Sequence, residues 1–486
     1  MKQLNRKNVN AAQYPTKIIQ FGEGNFLRAF VDWQIHRLNK EGELNAGVSI
    51  IRPINYDTLP LLNTQDGLYT TIVRGINESG DVEEQVEVID CVNEEIPVYQ
   101  EFEKFMALAS QPELEMIFSN TTEAGIEFIA TDKLTDAPAK AFPGKLTQWL
   151  YKRFLTFNGQ LDKGLIIIPC ELIDYNGEKL KELVLRYCDI WQLENEFEQW
   201  LHNANHFCST LVDRIVTGFP HKEHEQLQKK FGYQDDFMVT SEYFHFFAIQ
   251  GPPSLKQTLG LTNSSVNIKV VDDISPYKHR KVAILNGAHT ALVPLAYMSG
   301  IDSVGEAMED DVFERYVEAL IFNEIIPTLD LPKSELESFA KEVINRFKNP
   351  FIHHLLMSIS LNSMTKFYTR IVPQLLSYIE QQQQIPALMV QAIAGQILMY
   401  RGLRDNQVIE LVDSDVWLEL YAANWRAFDN KEISLLQLVS SVLSADWHWQ
   451  QDLTKVPNLL DATTQALSAF LSQGVRNTLL AALEEV

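Results

Sequence analysis

Residues 18–29 read IIQFGEGNFLRA, from Ile18 to Ala29. An apolar run ends in G-x-G and continues into an amphipathic run, Phe26–Leu38, so the segment predicts strand, tight turn, helix. Glycine suits this turn because the chain reverses sharply there, and because a dinucleotide pyrophosphate must approach backbone without meeting a Cβ. The helix that follows offers free N–H groups and the positive end of its dipole to the phosphates. The candidate cofactor-binding residues are therefore Ile19, Gln20, Phe21, Gly22, Glu23, Gly24, Asn25, Phe26 and Arg28. The third glycine of G-x-G-x-x-G would fall at Leu27, and no acid closes the second strand, which ends Arg52-Pro53-Ile54-Asn55 with Asp57 the nearest carboxylate. Arg52 at that point would suit a 2′-phosphate. A tight βα turn with no ligand fits the same residues.

Working outward, strand-like and helix-like segments alternate. Lys17–Phe21, Val48–Arg52, Tyr69–Arg74, Val86–Ile89, Glu115–Ser119, Leu165–Pro169 and Val266–Val271 read as strands, and Val98–Ala109 and Gly144–Phe157 as helices. Alternation of this kind predicts a parallel sheet covered on both faces. From about Pro276 the apolar period is helical throughout. The expected fold class is thus α/β: a Rossmann-type dinucleotide-binding domain over 1–275, then a mainly α-helical domain over 276–486 that carries substrate and catalysis.

Composition narrows the function. The net charge is −23 with no basic block, which argues against nucleic acid and against an anionic membrane surface as partners. No apolar run is long enough to span a bilayer, and the basic N-terminal segment lacks the apolar stretch of a secretory signal, so the cytoplasm is the expected compartment. Cys91, Cys170, Cys188 and Cys208 form no C-x-x-C pair and read as buried reduced thiols. His221-Lys222-Glu223-His224 lacks the spacing of a zinc motif, and no metal is expected.

The second informative segment is Pro276–Leu292, PYKHRKVAILNGAHTAL. Lys281, Asn286 and His289 are spaced i, i+5 and i+8, at about 0°, 140° and 80° around an α-helix, so they share one broad arc. Polar groups on so apolar a helix need partners. A lysine whose pKa is lowered by burial can transfer the proton that accompanies a hydride transfer. An asparagine amide can donate to a developing alkoxide, and a histidine can hold a hydroxyl or orient the lysine. A basic first turn with a core histidine fits the spacing equally well.

The Lys281-x4-Asn286-x2-His289 pattern resembles the signature of the mannitol dehydrogenase family, the polyol-specific long-chain dehydrogenases. Phe21–Phe30 (FGEGNFLRAF) is similar to that family's G-x-G-x-F-x-R start, which would explain Leu27. Asp66–Thr70, Ser119–Ile126, Leu211–Ile215 and the NSMTKF segment around Lys366 fall in family order, and the resemblance spans nearly the whole chain. It implies NAD(H) as cofactor, no zinc, Lys281 as general acid/base with Asn286 and His289 beside it, and Glu123 near the site. Ile168–Gly177 and Ile284–Ala296 are most similar to members that act on sugar acids of hexuronate breakdown, so the expected partner is a small-molecule sugar acid. A second hexuronate-derived acid or a neutral polyol is the alternative. In the mannitol enzymes an asparagine precedes the mid-chain Asn-Gly and joins the oxyanion site; here Glu171 and Leu172 stand there, which leaves Asn286 alone. A non-catalytic dinucleotide-binding protein would have no need of Lys281, Asn286 and His289 at this spacing.

Lys366 and Arg370, at i and i+4, share a helix face. They are the candidate substrate-binding cations, able to pair with a carboxylate; a solvated basic face is the plainer reading.

Overall fold

A computed structural model describes residues 1–55, 59–77, 79–122 and 125–485. Glu123 and Asp57, both singled out from the sequence, lie outside the described residues. The chain divides into two compact units. The first comprises Met1–Gly75 and Val82–Ile274, the second Ile76–Asp81 and Ser275–Val486.

The first unit is built on a six-stranded sheet: β1 (Thr16–Phe21), β2 (Gly47–Arg52), β3 (Val92–Pro97), β4 (Met116–Ser119), β5 (Ile166–Pro169) and β6 (His206–Phe207). Their order is β3-β2-β1-β4-β5-β6, and every neighbouring pair is parallel. Alternate residues enter opposite cores. Ile18, Ile50, Met116, Phe118 and Ile168 pack into one, while Ile19, Ile51, Ile117 and Ile167 pack into the other. Strands buried on both faces explain the continuous apolar runs IIQF, VSII and LIIIP. The order is that of a doubly wound dinucleotide fold, and strand order reverses between β1 and β4, the crevice where such sheets take ligands.

Two expectations change. Tyr69–Ile76 and Val82–Ile89 are strands, but they join Val216–Gly218 and Val239–Glu242 in a separate four-stranded sheet. Ile268–Val271 sits in a third sheet with Ser209–Asp213 and Phe246–Gln250. In addition, β3 is a strand that the sequence reading passed over. Its burial is broken by polar Asn93 and Glu94, so it shows neither strict alternation nor an unbroken apolar run.

The second unit is helical. After α1 (residues 25–41) of the first unit, residues 275–297 form one continuous helix, α2, whose last part (Ala288–Tyr297) is almost wholly buried. Around it lie α3 (Lys333–Phe347), α4 (Ser363–Arg370) and α5 (Ala387–Met399). Gly395 lets α5 close on α2, since a Cβ there would lie 2.6 Å from a Leu295 methyl. Glu324 caps α5 from within the core. Its carboxyl oxygens accept from the Leu388 and Met389 N–H groups at 2.7 and 2.8 Å, and burial pushes its pKa up to about 7. From Ser275 onward, the hairpin Leu403–Arg404/Gln407–Val408 is the one piece of β structure among the described residues beyond an isolated bridge.

Candidate active site

The glycine turn lies at the switch point of the sheet. Gly22 has φ +118°, and a Cβ on it would lie 2.9 Å from the Asn120 carbonyl oxygen at the end of β4. Glycine is therefore demanded twice, by conformation and by space. Gly24 is different. It caps α1 (residues 25–41) in an extended conformation, and a Cβ there would meet no protein atom within 4 Å. Protein packing does not explain this second glycine; a ligand approaching the helix N-terminus would. The first N–H groups of α1 have no partner within the helix.

Several of the predicted cofactor-binding residues turn their side chains into the scaffold. Ile19 and Phe21 are fully buried in the core, because successive strand residues alternate between the two covered faces. Gln20, also buried, donates to the Gly22 carbonyl at 3.0 Å and to Asp32 at 3.3 Å. Arg28 donates from Nε to the Glu23 carbonyl at 3.0 Å and from Nη2 to Asn25 Oδ1 at 2.7 Å. Its Nη1 reaches the Phe237 carbonyl, and the guanidinium lies over the Tyr69 ring. Arg28 thus shapes the turn, and Asn25 orients Arg28. Leu27, at the absent third glycine, packs into the core beneath the turn. Glu23, half-buried, has its pKa raised by burial. Phe26 stacks on Phe30 at 5.1 Å.

Arg52 does not point to a 2′-phosphate. It is buried, with Nε 2.6 Å from Glu95 Oε1 and its Nη atoms donating to the Leu59 and Pro60 carbonyls at 3.1 and 2.9 Å. Glu171 is likewise committed. It accepts from Ser119 Oγ and from both the N–H and the hydroxyl of Thr121, holding the loop after β4, while Leu172 beside it is exposed. Neither supplies an oxyanion donor. Glu223 pairs with Arg74, and His224 contacts the Asp235 carbonyl. No group of three or more His, Cys, Asp or Glu side chains is poised around a metal among the described residues.

In the second unit the signature residues fall where α2 changes its winding. The helix is α over Ser275–Arg280, π over Lys281–Gly287, and α again over Ala288–Tyr297. The regular period assumed from sequence therefore fails between Lys281 and Asn286. Bonding from i to i+5 widens the turn and moves residues five apart toward one face, so the pair comes closer in angle than the ~140° of an α-helix. All three side chains are partly accessible, whereas most of their neighbours from Ala283 to Ala296 are buried.

His289 stacks face to face on Phe347 of α3, with ring centroids 4.0 Å apart, and meets His354 edge-on at 5.2 Å. Burial first, then the charges of His354, Arg346 and Arg370, holds its pKa well below the usual histidine range, so it is neutral at pH 7. His354 is lowered by burial and by Lys366. Lys366 and Arg370 therefore belong to the same cluster as His289. Lys366 donates to the Ile359 carbonyl at 2.7 Å, and Arg370 Nη1 donates to Thr290 Oγ1 at 3.2 Å. Burial and the neighbouring Arg370 lower the Lys366 pKa, and burial lowers that of Arg370. Among the described residues neither cation has a carboxylate within ion-pair distance. Both cations are half-buried rather than fully solvated. Sequence reading missed Arg346, Phe347, Thr290 and His354. The doubled histidine in Phe351–His354 was the one visible signal.

Both units match a known family. Residues 16–263 match the mannitol dehydrogenase Rossmann domain, and residues 273–471 match the mannitol dehydrogenase C-terminal domain. The chain belongs to the mannitol dehydrogenase family. Among curated relatives it is 54% identical to an altronate oxidoreductase of Yersinia enterocolitica and 55% identical to one of Escherichia coli. Each alignment covers 98% of this chain and 99% of the relative. Two solved structures share the fold. Pseudomonas fluorescens mannitol 2-dehydrogenase, in a ternary complex with NAD and D-mannitol, has TM-score 0.65 at 19% identity, with both chains covered in full. A substrate-free D-sorbitol dehydrogenase has TM-score 0.78 at 18% identity, covering 99% of this chain and all of its own. The break between the two matched domains, residues 263 to 273, falls beside the Ile274/Ser275 division of the units, and the Lys281 helix lies at the head of the C-terminal domain. No helix among the described residues is long and apolar enough to cross a membrane.

Proposed function

We propose that the chain is an NAD-dependent oxidoreductase that interconverts D-tagaturonate and D-altronate. One observation carries the choice of a sugar acid over a neutral polyol. On the helices around Lys281, two half-buried cations, Lys366 and Arg370, have no carboxylate within ion-pair distance among the described residues; burial first, and then their charges, lower the pKa values of His289, His354 and Lys366, with Asp413 opposing this only at Lys366. A bound carboxylate relieves that repulsion and gains charge-assisted hydrogen bonds. The substrate in the relatives' name, altronate, is such an acid.

Gly22, Glu23, Gly24 and the N-terminus of α1 fit a dinucleotide pyrophosphate, because the turn is stripped of side chains where the helix N–H groups converge. NADH, when bound, supplies the hydride that reduces the keto carbon. Lys281 delivers the proton to the resulting alkoxide oxygen and takes it back in the reverse direction. The Asn286 amide donates to that oxygen. His289, neutral and fixed by Phe347, accepts from or donates to a substrate hydroxyl. The engagement of Arg52 with Glu95, which takes up the guanidinium at the end of β2, supports NAD over NADP. Glu123 is proposed, from the family resemblance alone, to lie near the bound cofactor.

The test is Lys281→Ala with D-tagaturonate and NADH. The expected result is a fall in kcat of about a thousandfold or more, with the NADH dissociation constant unchanged. Turnover within a few-fold of the wild type would refute the role of Lys281.

A further inference from the structure

Arg370 does not stand alone. Its Nη1 donates to Thr290 Oγ1 at 3.2 Å, and the Thr290 hydroxyl donates in turn to the Asn286 carbonyl oxygen at 2.8 Å. Thr290 is 2% exposed, so water does not readily replace either bond. Threonine hydroxyls in helices commonly bond back to the carbonyl four residues earlier. What is unusual is that the same oxygen also receives a guanidinium, and that the carbonyl belongs to the π turn bearing Asn286. A second contact ties the same two elements. A Cβ on Gly287 would lie 3.6 Å from the Arg370 carbonyl oxygen, ordinary van der Waals distance, so α4 and the π turn run in close register. With Nη1 engaged, Nε and Nη2 of Arg370 are the donors left to grip a carboxylate; among the described residues they have no other partner.

We propose that Thr290 is a positioning residue: its hydroxyl fixes the Arg370 fork relative to the π turn, and so couples carboxylate recognition to the placement of Asn286. The proposal rests on the sugar-acid reading above. Loss of the hydroxyl frees the guanidinium to rotate, and an acid substrate loses its fixed second anchor. Thr290 touches neither substrate nor cofactor; it acts through Arg370 and the Asn286 backbone.

A double-mutant cycle in the full-length protein separates this role from plain helix packing. Thr290→Val keeps the shape and removes the hydroxyl, and Thr290→Ser keeps the hydroxyl. For D-tagaturonate reduction, the Val variant is expected to raise KM about tenfold with a smaller change in kcat and unchanged NADH affinity. The Ser variant should stay within about threefold of the wild type. In an Arg370→Gln background, Thr290→Val should add almost nothing, because the group it positions is gone. A residue that served packing alone would cost as much in that background as in the wild type. Three results would overturn the proposal: a Val variant with unchanged KM, a Ser variant as impaired as Val, or effects of Val and Gln that multiply. If the wild type reduces D-fructuronate in place of D-tagaturonate, the cycle is run on that acid, and only the substrate assignment falls. Turnover of neutral ketoses alone would overturn both readings.

Discussion

The glycine turn of the first unit and the Lys281 helix of the second are the two segments to which function is assigned, and both are announced by short motifs, yet they are built in opposite ways. At the turn, side chains are consumed by the protein. Gln20 and Arg28 bond the turn's own carbonyls, Ile19 and Phe21 fill the core, and Arg52 is locked to Glu95. What remains for a ligand is backbone. On the helix the backbone is engaged, although its winding relaxes to π, and Lys281, Asn286 and His289 remain partly accessible. Substitutions at the turn should therefore act through shape and stability, and substitutions around Lys281 through chemistry and substrate affinity.

The sharpest way to strain this contrast is Arg370→Gln. Removing one half-buried cation should raise the KM for D-tagaturonate about a hundredfold, the size of a charge-assisted bidentate contact, with little change in NADH affinity or melting temperature. Steady-state kinetics with fluorescence titration of NADH decides it. Loss of NADH binding would show that the two segments are not functionally separable.

The two glycines offer a smaller and more discriminating test. Gly24→Ala introduces a Cβ where no protein atom lies, so it should weaken NADH about tenfold while leaving thermal stability within about 0.5 kcal/mol. Gly22→Ala forces a side chain onto φ +118° and toward the Asn120 carbonyl; it should destabilise the fold by about 1–3 kcal/mol as well as weaken NADH. Equal stability losses in the two variants, read by urea melts, would contradict the division of labour drawn here.

The smallest effect concerns pH. Asp32 lies at the end of the π turn within α1, fully buried, and desolvation pushes its pKa up to about 7 despite bonds from Gln20 and Tyr69. Its folded pKa exceeds the unfolded one, so folding favours the protonated form. The stability it permits is complete below about pH 4, near the unfolded pKa, and is lost as pH rises to about 7. Asp32→Asn should flatten that part of the stability profile and gain relative to the wild type at pH 8. An unchanged slope between pH 4 and 7 would mean that Asp32 is ionised in the native protein.

Much of this was legible in the chain. The runs IIQF, VSII and LIIIP gave the doubly wound sheet because burial on both faces leaves an unbroken apolar signature. The G-x-G turn marked the strand-to-helix turn at the switch point, and Lys281, Asn286 and His289 marked the helix that heads the second unit. What stayed hidden depends on packing between distant segments. Arg28 looked like a ligand contact until its partners Glu23 and Phe237 were seen. Arg346 and His354 lie more than 50 residues from His289, and only the fold brings them beside it. The π turn was invisible because a hydrophobic pattern read at a fixed helical period assumes the winding it is used to detect. Polar residues in β3 concealed a strand for a related reason: Asn93 and Glu94 are bonded by Thr16, Tyr14, Ser49 and Lys104, contacts that periodicity does not encode.

The most direct test of the whole account is NADH oxidation by the wild-type protein, with D-tagaturonate, D-fructuronate and D-fructose compared side by side. The account predicts the highest kcat/KM for D-tagaturonate and a large loss on the neutral ketose, which has nothing to offer Lys366 and Arg370. Equal or better turnover of D-fructose, or no oxidation with either acid, would contradict it.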